Sequence, residues 1–315
     1  MPKPATTTWT SAQMPDQTDR RVVVTGASSG LGEITARELA RKGAQVVLAV
    51  RNLGKGEASA ARIRDAVPDA RVEVRELDLS SLESVRTFAS GLVSDWPAFD
   101  VLVNNAGIMQ TPPSRTADGY ELQLGTNHLG HFALTGLLLK ALGQGDRPRV
   151  VVVASNEHKG GHLDFDNLQL DRDYAPRKSY QRSKLANVLF GLELDRRLRA
   201  AGSPIICALA HPGYSATNLQ STGPTAFLTG LGFRLGNAVF AQPAAQGALP
   251  QLFAATAAEV QGGQYFGPDG FMEMRGHPVV VQVSDEGRDP EVARQLWTVS
   301  EELTGVTFPL PVPTS

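Results

Sequence analysis

Arg21-Val22-Val23-Val24-Thr25-Gly26-Ala27-Ser28-Ser29-Gly30-Leu31-Gly32 is the most informative segment of this 315-residue chain. Its first five residues form a β-branched run typical of a buried strand, and a helical pattern follows the glycines. Gly26 permits a tight turn, Gly30 lets backbone approach an anion such as a pyrophosphate, and Gly32 lets the helix pack closely on the sheet. Any sharp strand-to-helix turn also favours glycine, but the position after a first strand favours a dinucleotide-binding turn.

Apolar runs and helical segments alternate along the rest of the chain. Strands are predicted at 21–25, 45–50, 71–77, 100–103, 149–154 and 204–210, and helices at 33–42, 55–67, 81–95, 119–142 and 179–201. Strands this apolar are buried on both faces, which predicts an α/β fold with a doubly wound parallel sheet in a single domain, 21–315. Residues 1–20 are predicted to form an N-terminal arm. Residues 212–260 are predicted to form a C-terminal substrate lid, the alternative being ordinary surface helices.

Composition and charge exclude several classes of protein. Lys plus Arg is 30 and Asp plus Glu is 32, a net charge of −2 that does not suit a nucleic-acid-binding protein. Cys207 is the sole cysteine, so neither an internal disulfide nor a cysteine zinc site can form. No apolar run approaches the roughly 18 residues of a membrane span, and no secretory signal is recognisable, so we expect a cytoplasmic protein. His128 and His131 lack a third ligand at suitable spacing, and no metal is expected.

The second strand indicates which dinucleotide the turn would bind. NAD sites place Asp or Glu about 20 residues after the glycines, whereas residues 45–52 contain no carboxylate. Arg51 can instead pair with a 2′-phosphate, with help from Ser28 or Ser29. The sequence therefore predicts NADP(H) over NAD(H), the alternative being an exposed arginine at a strand end.

Two further strand ends carry polar or small residues. Asp78 and Leu79 follow the third strand, where the carboxylate can accept from an adenine amino group or cap the next helix. Asn105-Ala106-Gly107 follows the fourth strand, where small residues let the backbone approach a ribose. A plain turn would also use Asn and Gly.

Three side chains form a candidate catalytic group. Tyr180 and Lys184 are four residues apart in a predicted helix and so lie on one face. A nearby ammonium favours the phenolate and lowers the pKa of tyrosine. Ser155 follows the fifth strand, at the edge of the sheet where ligands bind, and its hydroxyl could hold a carbonyl oxygen. A Tyr-x-x-x-Lys pair by itself is common on amphipathic helices, so its value depends on the other motifs.

Taken in order, these motifs resemble those of the short-chain dehydrogenase/reductase family. The resemblance covers residues 20–220 and rests on Thr25-Gly26-x-x-x-Gly30-x-Gly32, Asn104-Asn105-Ala106-Gly107, Asn127, Ser155, Tyr180-x-x-x-Lys184 and Pro212-Gly213. The segment from Thr126 to Phe132 and the gap of 25 between Ser155 and Tyr180 look like the retinol-dehydrogenase-like branch, which is also similar to protochlorophyllide reductase.

The resemblance implies a Rossmann fold and a role for each matched residue. Tyr180 would transfer a proton to or from the substrate oxygen, Ser155 would orient that oxygen, and Lys184 would lower the tyrosine pKa and bind the nicotinamide ribose. Asn127 would hold a water that links Lys184 to solvent. The residues implied to border the cofactor also include Leu31, Pro212, Gly213 and Thr217.

The leading hypothesis is an NADP(H)-dependent carbonyl reductase or alcohol dehydrogenase. An apolar stripe in the predicted lid favours a bulky apolar ketone, aldehyde or alcohol, unless it only packs the lid on the body; its members are Phe227, Leu228, Leu231, Phe233 and Phe240. The alternatives are a carbon–carbon double-bond reductase of the same family and a non-catalytic NADP(H)-binding sensor or scaffold. Relatives pair through helices that correspond to 119–142 and 179–201, so a homodimer or homotetramer is expected.

Overall fold

An eight-stranded sheet organises the computed structural model, which describes residues 8–214 and 243–310. Its strands are β1 (Arg21–Thr25), β2 (Gln45–Val50), β3 (Arg71–Glu76), β4 (Val101–Asn104), β5 (Arg149–Val153), β6 (Ile206–Ala210), β7 (Tyr265–Pro268) and β8 (Pro278–Val280). Their order across the sheet is β3-β2-β1-β4-β5-β6-β7-β8, and all neighbours are parallel except β7 and β8. The six predicted strands are confirmed to within two residues at each end.

Helices cover both faces of the sheet, which confirms the doubly wound α/β prediction. The longer ones are α1 (Gly30–Arg41), α2 (Leu53–Ala66), α3 (Leu82–Asp95), α4 (Gly130–Leu142), α5 (Pro176–Ala200), α6 (Leu249–Thr256) and α7 (Pro290–Thr304), and short helices lie at Leu122–Leu124, Ala244–Gly247 and Asp285–Arg288. One apolar core lies between the sheet and α1, α2 and α6, and a second lies between the sheet and α3, α4, α5 and α7. In the part of the chain that the structure describes, no helix has both the length and the apolar character needed to cross a bilayer.

The strand order reverses at β1, and this reversal places the candidate site. The chain runs from β1 to β2 and β3 on one side, then returns to β4 on the other side of β1. Ligands of open parallel sheets bind in the crevice at the carboxyl ends of strands at such a reversal. The Gly26–Gly32 turn after β1 and Asn105-Ala106-Gly107 after β4 both lie at this edge.

The predicted N-terminal arm and the predicted lid both include residues that the structure places in the core. Trp9 in the predicted arm is buried, with its ring edge-on to Phe253 of α6 at a centroid distance of 5.2 Å. The predicted lid range 212–260 extends too far, because α6 is buried in the core beside β5 and β6. Thr217 and the apolar stripe from Phe227 to Phe240 lie outside the described residues, so the lid stays a prediction there.

Candidate active site

The backbone of the Gly26–Gly32 turn requires its glycines. Gly26 and Gly30 have φ values of +68° and +59°, a left-handed conformation that side chains disfavour. A Cβ on Gly26 would lie 2.9 Å from the Cα of Ala106, and one on Gly32 would lie 2.5 Å from the carbonyl oxygen of Gly26. The predicted tight turn at Gly26 and close packing at Gly32 are therefore present in the structure.

Hydrogen bonds that Thr25 accepts hold the ends of β1 and β4 together. Its hydroxyl oxygen accepts from the backbone N–H groups of Asn105 and Ala106, each at 2.9 Å. The Asn105 side chain donates to the carbonyl of Thr25 at 2.8 Å and accepts from Gln251 of α6 at 3.2 Å. The two loops that would contact a dinucleotide thus form one connected unit.

A cleft of about 680 Å³ opens along this edge, a volume suited to a bound cofactor. Its lining includes the cofactor residues predicted for this edge, namely Gly26, Ser28, Ser29, Gly30, Leu31, Gly32, Arg51, Asp78, Leu79, Asn105, Ala106 and Gly107. It also includes residues that the sequence reasoning missed, among them Asn52, Lys55, Arg62, Ile108 and Thr126.

The charges on the cleft wall near β2 are positive. Arg51 is exposed at the end of β2, and Lys55 lies on the first turn of α2, where Asn52 caps the helix by accepting from the Lys55 N–H at 2.8 Å. Arg62 is paired with Glu33 at 2.5 Å. The spacing of four residues between Arg51 and Lys55 was the sequence signal that could have identified the second cation.

Asp78 lines the cleft and hydrogen-bonds within its own turn. Its Oδ1 accepts from the N–H and the hydroxyl of Ser80, at 2.9 and 2.6 Å. The cap of α3 is Ser81, which accepts from the N–H of Ser84 at 3.3 Å. Asp78 therefore holds its own turn instead of capping the next helix, and its predicted contact with adenine stays a prediction.

Ser155, Tyr180 and Lys184 come together beside this cleft. Ser155 follows β5, and its hydroxyl lies close enough to that of Tyr180 on α5 to lower the pKa of the tyrosine. The Lys184 ammonium lies 5.8 Å from the centroid of the Tyr180 ring and donates to the carbonyl of Val153 at 3.2 Å. A Cβ on Gly107 would lie 3.4 Å from the Lys184 nitrogen, so the group adjoins the cofactor loop.

Burial moves the pKa values of the tyrosine and the lysine in opposite directions. Burial raises the pKa of Tyr180 to about 12, against a lowering by the Ser155 hydrogen bond and a further raising by Glu157. Burial lowers the pKa of Lys184 to about 8. This is opposite to the predicted lowering of the tyrosine pKa by Lys184, because loss of hydration outweighs attraction from an ammonium at this distance.

Asn127 lies in a π-helical turn, Gly125–Leu129, that leads directly into α4. Its side chain accepts from the N–H of Ile108 at 2.8 Å and donates to the carbonyl of Ile108 at 3.0 Å and to Ser183 at 2.8 Å. This ties the turn to the loop after β4 and to α5. Such single π turns are frequent at functional sites, but no sequence pattern indicated this one. The water predicted at Asn127 stays a prediction.

Pro212 and Gly213 follow β6 at the same edge of the sheet. Gly213 has a φ of +64°, and its N–H donates to His211 Nδ1 at 3.2 Å. His211 thus accepts a backbone hydrogen bond. Among residues 8–214 and 243–310, no three His, Cys, Asp or Glu side chains are grouped closely enough to hold a metal.

A glycine-rich turn at the strand reversal and a Ser–Tyr–Lys group beside it, with the tyrosine and the lysine buried, define an oxidoreductase that uses a nicotinamide dinucleotide. The family model for short chain dehydrogenases matches residues 20–226. The chain belongs to that family, in its retinol-dehydrogenase-like branch.

Relatives match along most of the chain. Human (Homo sapiens) retinol dehydrogenase 14 is 39% identical over 302 residues, covering 91% of this chain and 87% of the relative. Human retinol dehydrogenase 13 is 41% identical over 297 residues, covering 92% of this chain and 86% of the relative. The crystal structure of an uncharacterized protein from Mycobacterium Paratuberculosis is 45% identical with a TM-score of 0.81, covering 96% of this chain and 100% of that one.

Proposed function

We propose that the protein is an NADP(H)-dependent oxidoreductase that interconverts bulky apolar aldehydes or ketones with their alcohols. The observation that carries this proposal is the grouping of the Ser155 and Tyr180 hydroxyls, with Lys184 on the same buried helix face as Tyr180, next to the cleft. Two hydroxyls at one point can bind a carbonyl oxygen and supply its proton, which is the chemistry of carbonyl reduction.

The cleft fits a dinucleotide, since side chains at Gly26 or Gly32 would collide with backbone that forms its wall. A bound nicotinamide supplies or accepts the hydride. Ser155 donates to the substrate oxygen and polarises it, while Tyr180 gives that oxygen its proton. Lys184, buried and 5.8 Å from the tyrosine ring, is positioned to stabilise the phenolate that remains and to restore its proton.

Two cations support the preference for NADP(H). Arg51 and Lys55 line the cleft where a 2′-phosphate would extend from the adenosine ribose, and residues 45–52 offer no carboxylate to the 2′-hydroxyl of NAD. Paired guanidinium and ammonium groups attract a phosphate dianion strongly. Solved relatives of the same fold, at 22–23% identity, include complexes with NADP and with NAD, so the argument depends on these residues.

The apolar substrate class is supported by the names of the relatives and by the predicted lid. The relatives are retinol dehydrogenases, whose substrate is a long apolar alcohol. The apolar stripe adds five large apolar side chains to the segment that follows Gly213 in the sequence, namely Phe227, Leu228, Leu231, Phe233 and Phe240.

The test is the reduction of a panel of aldehydes that runs from propanal to decanal and includes retinal. The rate is measured as the loss of NADPH absorbance. We expect turnover with NADPH well above that with NADH, and Tyr180→Phe should lower kcat by at least about a thousandfold. NADPH binding to Tyr180→Phe, measured by fluorescence, should remain near that of the wild type. Full activity of Tyr180→Phe, or a product of retinal in which a carbon–carbon double bond is reduced while the aldehyde remains, would contradict the proposal.

A further inference from the structure

A strained loop after β7 adjoins the candidate active site. Met272 and Glu273 are consecutive non-glycine residues with φ values of +51° and +57°. Left-handed backbone is unfavourable for both residue types, and such strain persists only where surrounding contacts impose it. Strained segments of this kind concentrate at ligand-binding and catalytic sites.

Three contacts impose this conformation through Met272 and Glu273. Asn156, directly after Ser155, donates from its side chain to the carbonyl of Met272 at 3.2 Å. The Glu273 carboxylate lies 2.9 Å from the Lys159 ammonium and 3.1 Å from His211 Nε2. Because Gly213 donates to His211 Nδ1, the ring proton is on Nε2.

The backbone of the loop also contacts the turn after β6. The N–H of Tyr214 donates to the carbonyl of Met274 at 2.8 Å, and a Cβ on Gly213 would overlap that same carbonyl. The loop is therefore hydrogen-bonded on one side to Asn156, the residue after Ser155, and on the other side to the turn after β6.

Despite these anchors, the two side chains at the tip of the loop are apolar and exposed. Phe271 is 82% exposed and Met272 is 66% exposed, more than any other large hydrophobic residue of the described chain. Glycine would suit the backbone at 272 better and would leave no apolar side chain there. The structure thus keeps a strained methionine at a position where the fold alone favours glycine.

We propose that Phe271 and Met272 form an apolar contact surface for the part of the substrate that lies away from its carbonyl group. This inference rests on the proposed function. The occupant is the hydrocarbon portion of an aldehyde or alcohol whose oxygen is bound by Ser155 and Tyr180. Asn156, the residue next to Ser155, is hydrogen-bonded to the Met272 backbone. A substrate long enough to extend out of the site on this side therefore contacts the loop, whereas a short one does not.

The test compares decanal with propanal in Met272→Gly and Phe271→Ser, with Val280→Ser as the control at an exposed apolar position on β8. We expect kcat/KM for decanal to fall about tenfold, mainly through KM, and kcat/KM for propanal to change less than about twofold. Met272→Gly should also raise the thermal midpoint, because it relieves the backbone strain. The control should leave both substrates unchanged.

Equal losses for the two aldehydes, or no loss for either, would overturn the inference even if the wild type is active. A fall in the thermal midpoint of both variants with equal losses would show that the pair packs on other parts of the chain. If the wild type reduces no carbonyl, the proposed function fails separately. In that case, calorimetric titration of decanol into the wild type and into Met272→Gly still tests the inference about the loop, because the inference requires the variant to bind decanol more weakly.

Discussion

Tyr180 and Lys184 are both buried on one helix, and their protonation states suit reduction of a carbonyl. Burial raises the pKa of Tyr180 to about 12, so its phenol carries a proton throughout the neutral range. Burial lowers the pKa of Lys184 to about 8, so the ammonium is present at pH 7 and is lost as the pH rises through about 8. In the proposed mechanism the tyrosine is therefore the proton donor, and the lysine is the group whose charge changes near neutral pH.

The lysine predicts a pH dependence. For carbonyl reduction at saturating NADPH and substrate, kcat should be constant between pH 6 and about 7.5 and should fall above about 8, where Lys184 becomes neutral. Lys184→Met should be at least about a hundredfold slower at pH 7 and should lack this decline. A rate that rises through pH 8, or the same decline in the variant, would assign the titration to another group.

His131 links the catalytic and cofactor sides of the site. Its Nδ1 lies 2.9 Å from the carbonyl of Asn127, which can only accept, so Nδ1 carries the proton. Its Nε2 then accepts from the Thr25 hydroxyl at 2.9 Å. Burial lowers the pKa of His131 to about 4, which keeps the ring neutral and this arrangement intact at neutral pH.

Replacement of His131 by Phe should weaken both stability and cofactor binding. The carbonyl of Asn127 and the hydroxyl of Thr25 would lose a buried partner, each at a cost of about 1–3 kcal/mol. Chemical denaturation should show the loss of stability, and fluorescence titration should show weaker NADPH binding. His128→Phe is the control, because His128 is equally buried but bonds to Ser300 on α7. Unchanged NADPH affinity in His131→Phe would limit the role of His131 to packing.

At the level of secondary-structure elements, the approach of α1 to the sheet is set by Gly32. A methyl group there would lie 2.5 Å from the carbonyl of Gly26 and 2.6 Å from the Asn105 amide, so α1 would have to move outward. Gly32→Ala should weaken NADPH binding more than tenfold and destabilise the fold by about 1–3 kcal/mol. Gly91→Ala in α3 is the matched control, because nothing lies within 4 Å of its Cβ and alanine favours a helix by about 0.5–1 kcal/mol. Equal behaviour of the two variants would contradict this account.

Five of the first six strands could be predicted because their apolar runs are buried on both faces, as in Val22-Val23-Val24. The sixth, β3, lies at the edge of the sheet, is only partly buried and alternates apolar with charged residues. β7 and β8 escaped prediction because they are short and contain Gly or Pro, and because β8 lies at the edge of the sheet. The candidate catalytic residues were identified through their order along the chain, and their roles stay a prediction. The π turn at Asn127 was not found, since an inserted residue in a helix leaves no sequence period. The tyrosine pKa was missed because burial depends on packing of the whole site.

At the scale of the whole molecule, the C-terminal helix completes the core on one side of the sheet. Trp297 of α7 is fully buried, and its ring lies 5.1 Å from Phe132 of α4 and 5.9 Å from Phe190 of α5. Phe308, beyond the helix, adds a ring 4.6 Å from Trp297. The faces of α4 and α5 that carry these phenylalanines are thus covered by the same chain, so a pairing of two chains through these helices would use their other faces.

Because this aromatic cluster lies within one chain, its loss should destabilise a single molecule. Trp297→Ala removes the largest buried side chain and its stacking on Arg197, whose guanidinium lies 4.3 Å from the indole centroid. We expect a loss of about 3–5 kcal/mol in the free energy of unfolding, typical of a buried tryptophan. Denaturant titrations at two protein concentrations tenfold apart should show the same loss, with Leu53→Ala at an exposed site as the control. A loss that disappears at the higher concentration would show that a second chain supplies part of this core.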